Sequence, residues 1–154
     1  MKNNIYPIET IVPHEHPMIL IDTLEQYDQT KACCHVTINA NSNFYDQRLN
    51  GVPSYVALEY MAQSIAAFAN ANNKDLGQEV AIGFLVSSRK FKVYVSEFRL
   101  GTQLTVHVEQ LYLEESGLAA FDCKVEHKEQ LVAKAKINIF QPNDPQKFLA
   151  EQVQ

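Results

Sequence analysis

The stretch from Pro53 to Asn70 constrains this chain more than any other. Its core, SYVALEYMAQSIAAFAN, contains no glycine or proline and has five alanines, so it reads as a helix. Val56, Leu58, Met61, Ala62, Ile65, Ala66, Phe68 and Ala69 cover most of its circumference. A helix that is apolar nearly all round is a buried one. Pro53 marks its start, Ser54 is the expected N-cap, and the polar run Asn70–Gly77 ends it.

The rest of the chain reads as strands. Tyr6–Pro17 carries Pro7, Pro13 and Pro17, which excludes a long helix there. Met18–Ile21 is expected to be a buried strand followed by Asp22, and Lys31–Asn39 an alternating one. The polar stretch from Asn39 to Gly51 is a loop. After the helix come strands at Val80–Ser87, Lys90–Ser96, Gln103–Glu114, Leu118–Glu126 and Leu131–Phe140. Their turns fall near Arg99–Gly101, Glu115–Gly117 and His127–Gln130. The alternation in Gln103–Glu114 changes phase near Gln110, the mark of a bulge. Two strands, one apolar helix and an antiparallel meander form an α+β layer. A sheet curled round one long central helix is the hotdog arrangement. The 154 residues suit one domain, with its core over about 12–140 and a frayed tail from about 141.

Composition narrows the partners. A net charge of -5 and a pI near 5.5 argue against nucleic acid; Arg89, Lys90 and Lys92 are the only dense cationic run. No apolar run approaches the roughly 20 residues of a membrane span. The N-terminus lacks a secretory apolar stretch. Cys33, Cys34 and Cys123 make a poor disulfide framework. Reduced thiols in the cytoplasm are the expectation, with at most one of Cys33 and Cys34 pointing inward.

Glu59 stands out because a lone carboxylate in an apolar helix costs several kcal/mol, roughly, unless it is neutralised or paired. Gln63, four residues on, lies on the same face and can orient it. His14 and His16 sit in the proline-rich loop. As two ligands without a supporting Cys or acidic cluster they make no metal site. Tyr45, Asp46 and Tyr55 are possible proton donors near the helix start, with surface or packing roles the plainer reading. Gly51 and Val52, just before the helix, are candidates to donate N–H groups to an oxyanion. His35, His107 and His127 fall on strands or a turn and read as structural. Cys33 and Cys34 lack an activating motif.

Three stretches resemble the 3-hydroxyacyl-ACP dehydratases of type II fatty-acid synthesis. They are VPHEHPMILID (Val12–Asp22), SYVALEYMAQ (Ser54–Gln63), and the strands from Gly83 to Ile139 with Arg89-Lys90-Phe91 and Gly101. The nearest likeness is to a diverged branch that accompanies aryl polyene and other type II polyketide-like synthases. The resemblance implies dehydration of a 3-hydroxyacyl thioester carried on the phosphopantetheine arm of acyl carrier protein, with no other cofactor. It further implies Glu59 as the helix carboxylate and a homodimer or a heterodimer with a related hotdog subunit. One departure is plain. The family's catalytic histidine precedes the helix, whereas Asn41–Pro53 contains none. His14 is then the expected replacement base, with His16 second. A thioesterase, or a non-catalytic subunit bracing an active partner, are the alternatives.

Overall fold

A computed structural model describes residues 1–14, 18–81 and 84–141. The chain runs β1 (Lys2–Asn3), β2 (Thr23–Tyr27), β3 (Lys31–Thr37), β4 (Gly51–Pro53), α1 (Ala57–Asp75), β5 (Phe84–Val93), β6 (Glu97–Arg99), β7 (Gln103–Leu113), β8 (Leu118–His127) and β9 (Gln130–Phe140). Seven strands form one antiparallel sheet in the order β1-β2-β3-β7-β8-β9-β5, and β4 pairs with β6 separately. The long helix packs against β2, β3, β7, β8 and β9. This is the expected α+β hotdog architecture.

The helix is where the apolar pattern put it, but its ends differ. A 3-10 turn at Ser54–Val56 precedes it, and Ser54 makes no side-chain cap. The helix also runs past Asn70 to Asp75. Here side-chain amides take up polar partners: Asn72 Nδ2 donates to the carbonyls of Asp28 (3.0 Å) and Phe68 (3.0 Å). Tyr60, Met61, Ile65, Phe68 and Ala71 are buried. Phe68 meets Phe121 of β8 edge-on at 5.7 Å, and Tyr60 meets Phe98 of β6 at 6.2 Å.

Segments that alternate fold as ladder strands; the continuous apolar run and the cationic stretch do not follow their expected bounds. The slip between Gln110 and Tyr112 in the β7–β8 register is the bulge that the phase change called for. The segment Met18–Ile21 is not a ladder strand; β2 starts only at Thr23. Ile19 and Ile21 are buried all the same, and Leu20 gives its N–H to a helix side chain rather than to a neighbouring strand. Val80–Ser87 and Lys90–Ser96 are not two strands. β5 runs through the expected break, with an irregularity between Arg89 and Lys92 and Lys90 at φ 55°. A backbone kink inside one strand carries the same sequence signature as a turn between two. Lys31–Asn39 ends as a strand at Thr37. Gly83, and the tail beyond Gln141, lie outside the described residues. Cys33 and Cys34 alternate as expected: Cys34 is fully buried, Cys33 half so, and all three cysteines are free thiols. No helix among the described residues is long and apolar enough to cross a membrane.

The C-terminal end of α1 is tied to β1 and β2 through Asp75. Its carboxylate takes Lys2 Nζ at 2.6 Å, Tyr6 OH at 2.6 Å and Tyr27 OH at 2.7 Å. The Lys2 contact first, then the Tyr6 hydroxyl, hold the Asp75 carboxyl down at about 2. An unfolded Asp titrates near 4, about where a free carboxyl does. A depressed native value contributes stability that is complete above the unfolded value and is lost as pH falls through the native one. Thermal melts of the native chain should therefore fall more steeply between about pH 4 and pH 2 than those of Asp75→Asn; superimposable curves would remove this role.

The β8–β9 turn places Lys128 at φ 50° and Glu129 at φ 68°. Two consecutive left-handed residues suit a hairpin, yet neither is glycine or asparagine. Replacing Lys128 by Asn together with Glu129 by Gly should stabilise the fold by about 1 kcal/mol and raise Tm by about 2–4 °C. A lower Tm in the double variant would show that these side chains stabilise the turn in another way.

Candidate active site

Two buried amides on α1 organise the site. Gln63 and Asn70 are seven residues apart, two turns on one face, and are 2% and 1% exposed. Gln63 Oε1 accepts the Leu20 N–H at 2.8 Å, while its Nε2 donates to the Met18 carbonyl at 2.8 Å and to Glu59 Oε1 at 3.1 Å. Asn70 Nδ2 donates to the carbonyls of Ile11 (2.9 Å) and Ala81 (3.2 Å), and its Oδ1 accepts the Ala81 N–H at 2.8 Å. The proline-rich segment is thus strapped to the helix at Ile11 and again at Met18–Leu20. His14 hangs between the two straps.

The Gln63 amide can sit only one way round. Leu20 presents a backbone N–H, which requires an acceptor, so the oxygen faces Leu20 and the nitrogen faces Glu59. Glu59 Oε1 is therefore held as an acceptor, and its second oxygen is left for a proton or a substrate. The expectation that Gln63 orients Glu59 has this bond behind it. Glu59 is half-buried in the first turn of α1.

Glu59, Gln63 and His14 line one cavity of about 930 Å³. Its remaining walls include Ala62, Ala66 and Phe121. His14 is exposed on its outer side, and its N–H donates to the Val12 carbonyl at 2.8 Å. His16 lies outside the described residues. Tyr45 is placed elsewhere: its hydroxyl donates to Asn50 Oδ1 at 3.0 Å within the loop before the helix. Tyr55 is 65% exposed, and Asp46 caps its own loop by accepting the Arg48 N–H at 2.9 Å.

Gly51 and Val52 do not serve as oxyanion donors in this fold. The Gly51 N–H is given to the Asp46 carbonyl at 3.3 Å. Leu100 N–H bonds Asn50 O and Ser54 N–H bonds Ser96 O; in an antiparallel ladder this alternation commits the Val52 N–H to Phe98. Glycine at 51 answers a packing need, because a Cβ there would run into the Phe98 carbonyl.

The other titratable candidates are inert or distant. Burial pushes the Cys34 thiol up to about 12 and raises those of Cys33 and Cys123, so none is a ready thiolate. His35 faces Glu25 at 3.6 Å, and His107 faces Glu126 at 3.9 Å. Neither lines the cavity. No metal-binding cluster occurs among the described residues. Asn70 and the backbone of Met18 and Leu20 were missed from the sequence. Asn70 read as the end of the helix, and backbone groups leave no composition signal.

Comparison with known proteins accords with this geometry. A family model described as ApeP-like, ApeP dehydratase, matches residues 6–150. The 3-hydroxyacyl-[acyl-carrier-protein] dehydratase FabZ of Ralstonia nicotianae is 28% identical over 142 residues, covering 87% of this chain and 83% of the relative. A chain of the dehydratase heterocomplex ApeI:P from Xenorhabdus doucetiae superposes with a TM-score of 0.87 at 23% identity, over 96% of this chain and 98% of that one. A hypothetical thioesterase from Streptococcus pneumoniae, with coenzyme A, superposes at 0.58 and 14% identity over 77% and 84%; at that distance only the fold is shared.

Gln63→Ala should lower stability by on the order of 3 kcal/mol, because it strands the Leu20 N–H and the Met18 carbonyl. Tm should drop by on the order of 10 °C. A drop of only a degree or two in a thermal melt would mean that the strap is not needed.

Proposed function

The chain belongs to the ApeP-like dehydratase family, and on that premise we propose that it removes water from a 3-hydroxyacyl chain held as a thioester on acyl carrier protein, giving the trans-2-enoyl thioester. The observation that carries this reading is the Glu59 carboxyl, aimed by Gln63 into the cavity that His14 also lines.

The chemistry needs a base for the C2 proton and an acid for the departing C3 hydroxyl. His14 takes the C2 proton. The freed electron pair becomes the C2–C3 double bond as the C3–O bond breaks. Glu59 supplies a proton from the oxygen that Gln63 leaves free, and the hydroxyl departs as water. The enolate-like charge that develops on the thioester oxygen needs donors from elsewhere, since the Gly51 and Val52 N–H groups are committed. No metal is required by this scheme, and the phosphopantetheine thioester is part of the substrate.

The chain works beside a second hotdog subunit. Among the described residues β5 pairs with β9 alone, so its other edge can extend the sheet into a partner. The structural relative from Xenorhabdus doucetiae is itself half of a heterocomplex. The exposed outer side of His14 and the histidine-free segment Asn41–Pro53 favour one further reading, in which this chain braces the partner and the partner performs the chemistry.

Incubating the protein with 3-hydroxyacyl carrier protein, alone and with a co-produced hotdog partner, separates these readings by product mass. Loss of one water supports dehydration; release of free acid indicates hydrolysis. Glu59→Gln should reduce kcat/KM by at least about 100-fold, and His14→Ala by a similar factor. Full dehydratase activity in both variants assigns the chemistry to the partner.

A further inference from the structure

The cavity beside Glu59 continues along the uncovered stripe of α1 to the far end of the helix. Its lining includes Ala62, Ala66 and Ala69, and then Asn73, Asp75 and Lys2. At about 1.5 Å of rise per residue, Glu59 to Ala69 spans about 15 Å, and the step on to Asp75 about 9 Å more. The two parts differ in chemistry. Over the first, Ala62, Ala66 and Ala69 share the cavity wall with Phe121 and Ile139, and apolar side chains predominate. Over the second, the walls turn polar and end on the Lys2–Asp75 ion pair.

That pair is well held on one side and weakly on the other. Tyr6 and Tyr27 fix the Asp75 carboxylate through their hydroxyls. Lys2 lies 2.6 Å from the carboxylate and 5.0 Å above the Tyr27 ring. Its own strand has only two paired residues, Lys2 opposite Tyr27 and Asn3 opposite Gln26. Asn3 and Asn4 hold the strand to β2, Asn3 Oδ1 accepting from Gln26 Nε2 at 2.9 Å and Asn4 donating its N–H to the Glu25 carbonyl at 3.0 Å, while the ionic contact fixes the Lys2 side chain across the end of the groove.

We propose that β1, latched by Lys2 to Asp75, closes the far end of the groove and sets the longest acyl chain it admits. The proposal rests on reading this cavity as the acyl site. Each methylene laid against the apolar stretch strengthens binding roughly fourfold. A methylene driven on to Lys2 and Asp75 strips water from a charged pair and offers it no hydrogen bond in return. The groove therefore admits chains up to a set length and rejects longer ones.

Two variants open the latch without touching Glu59, Gln63 or His14. They are Lys2→Ala and a chain lacking residues 1–3. Each is compared with the full chain, together with the hotdog partner, on carrier-bound 3-hydroxyacyl chains of short, medium and long length. Binding of saturated fatty acids of the same lengths is read separately, by displacement of an environment-sensitive fluorophore. The full chain should show a sharp length cut-off. Both variants should raise the long-to-short ratio of kcat/KM at least tenfold, chiefly through a lower KM for long chains, and shift the binding cut-off in parallel. Turnover with the same length profile in all three proteins overturns the latch and leaves the dehydratase reading standing. A latch-dependent cut-off in binding without any turnover does the reverse. No cut-off in the full chain, or no fatty-acid binding at all, overturns the latch outright.

Discussion

The site depends on two buried side-chain amides that take the place of a missing strand ladder. Ile11 and, further on, Met18 and Leu20 are held against the central helix, and among the described residues none of them pairs with a neighbouring strand. Buried backbone groups without partners are costly, typically 1–3 kcal/mol each. Gln63 and Asn70 supply the partners from the helix itself. Among the described residues no buried side-chain polar atom is left without a hydrogen bond. Because the Gln63 amide must present its oxygen to Leu20, the same bond pattern that anchors the loop also dictates which way Glu59 points. Anchoring and aiming are one interaction.

The helix sets the second condition. It is apolar enough to demand cover on most sides, and one seven-stranded sheet covers one face of it. Along the stripe it leaves uncovered, Glu59 is followed by the half-buried Ala62, Ala66 and Ala69 and then by Asn73 and Asp75. Small side chains there leave room for a groove instead of filling it. The open edge of β5 lies on the same protein, so one chain offers both an unfilled apolar stripe and a sheet that can be extended. Under the proposed assembly, a second hotdog subunit covers both.

Three lysines brace the structure through ion pairs. Lys2 goes to Asp75, Lys136 to Asp122 at 3.0 Å, and Lys124 to Glu126 at 2.9 Å. Exposed pairs of this kind are each worth little in stability, about 0–1 kcal/mol. Lys2 differs because two tyrosine hydroxyls share its carboxylate, so the contact joins three segments of the chain at the end of the helix.

The sequence by itself determined the central helix, the alternating strands, the bulge near Gln110 and the suspicion attached to Glu59. All of these are periodic or compositional signals, in which each residue reports its own solvent exposure. It also put Gln63 beside Glu59, because i, i+4 spacing is local geometry. Tertiary structure alone decided that Met18–Ile21 is not a strand, that Gly51 and Val52 have no N–H to spare, and that Tyr45 belongs to its loop. It alone placed Asn70 on Ile11 and Ala81. Hydrogen bonds between a side chain and a distant backbone leave no trace in composition or period, since every residue offers the same backbone donor and acceptor and only the fold selects which of them meet.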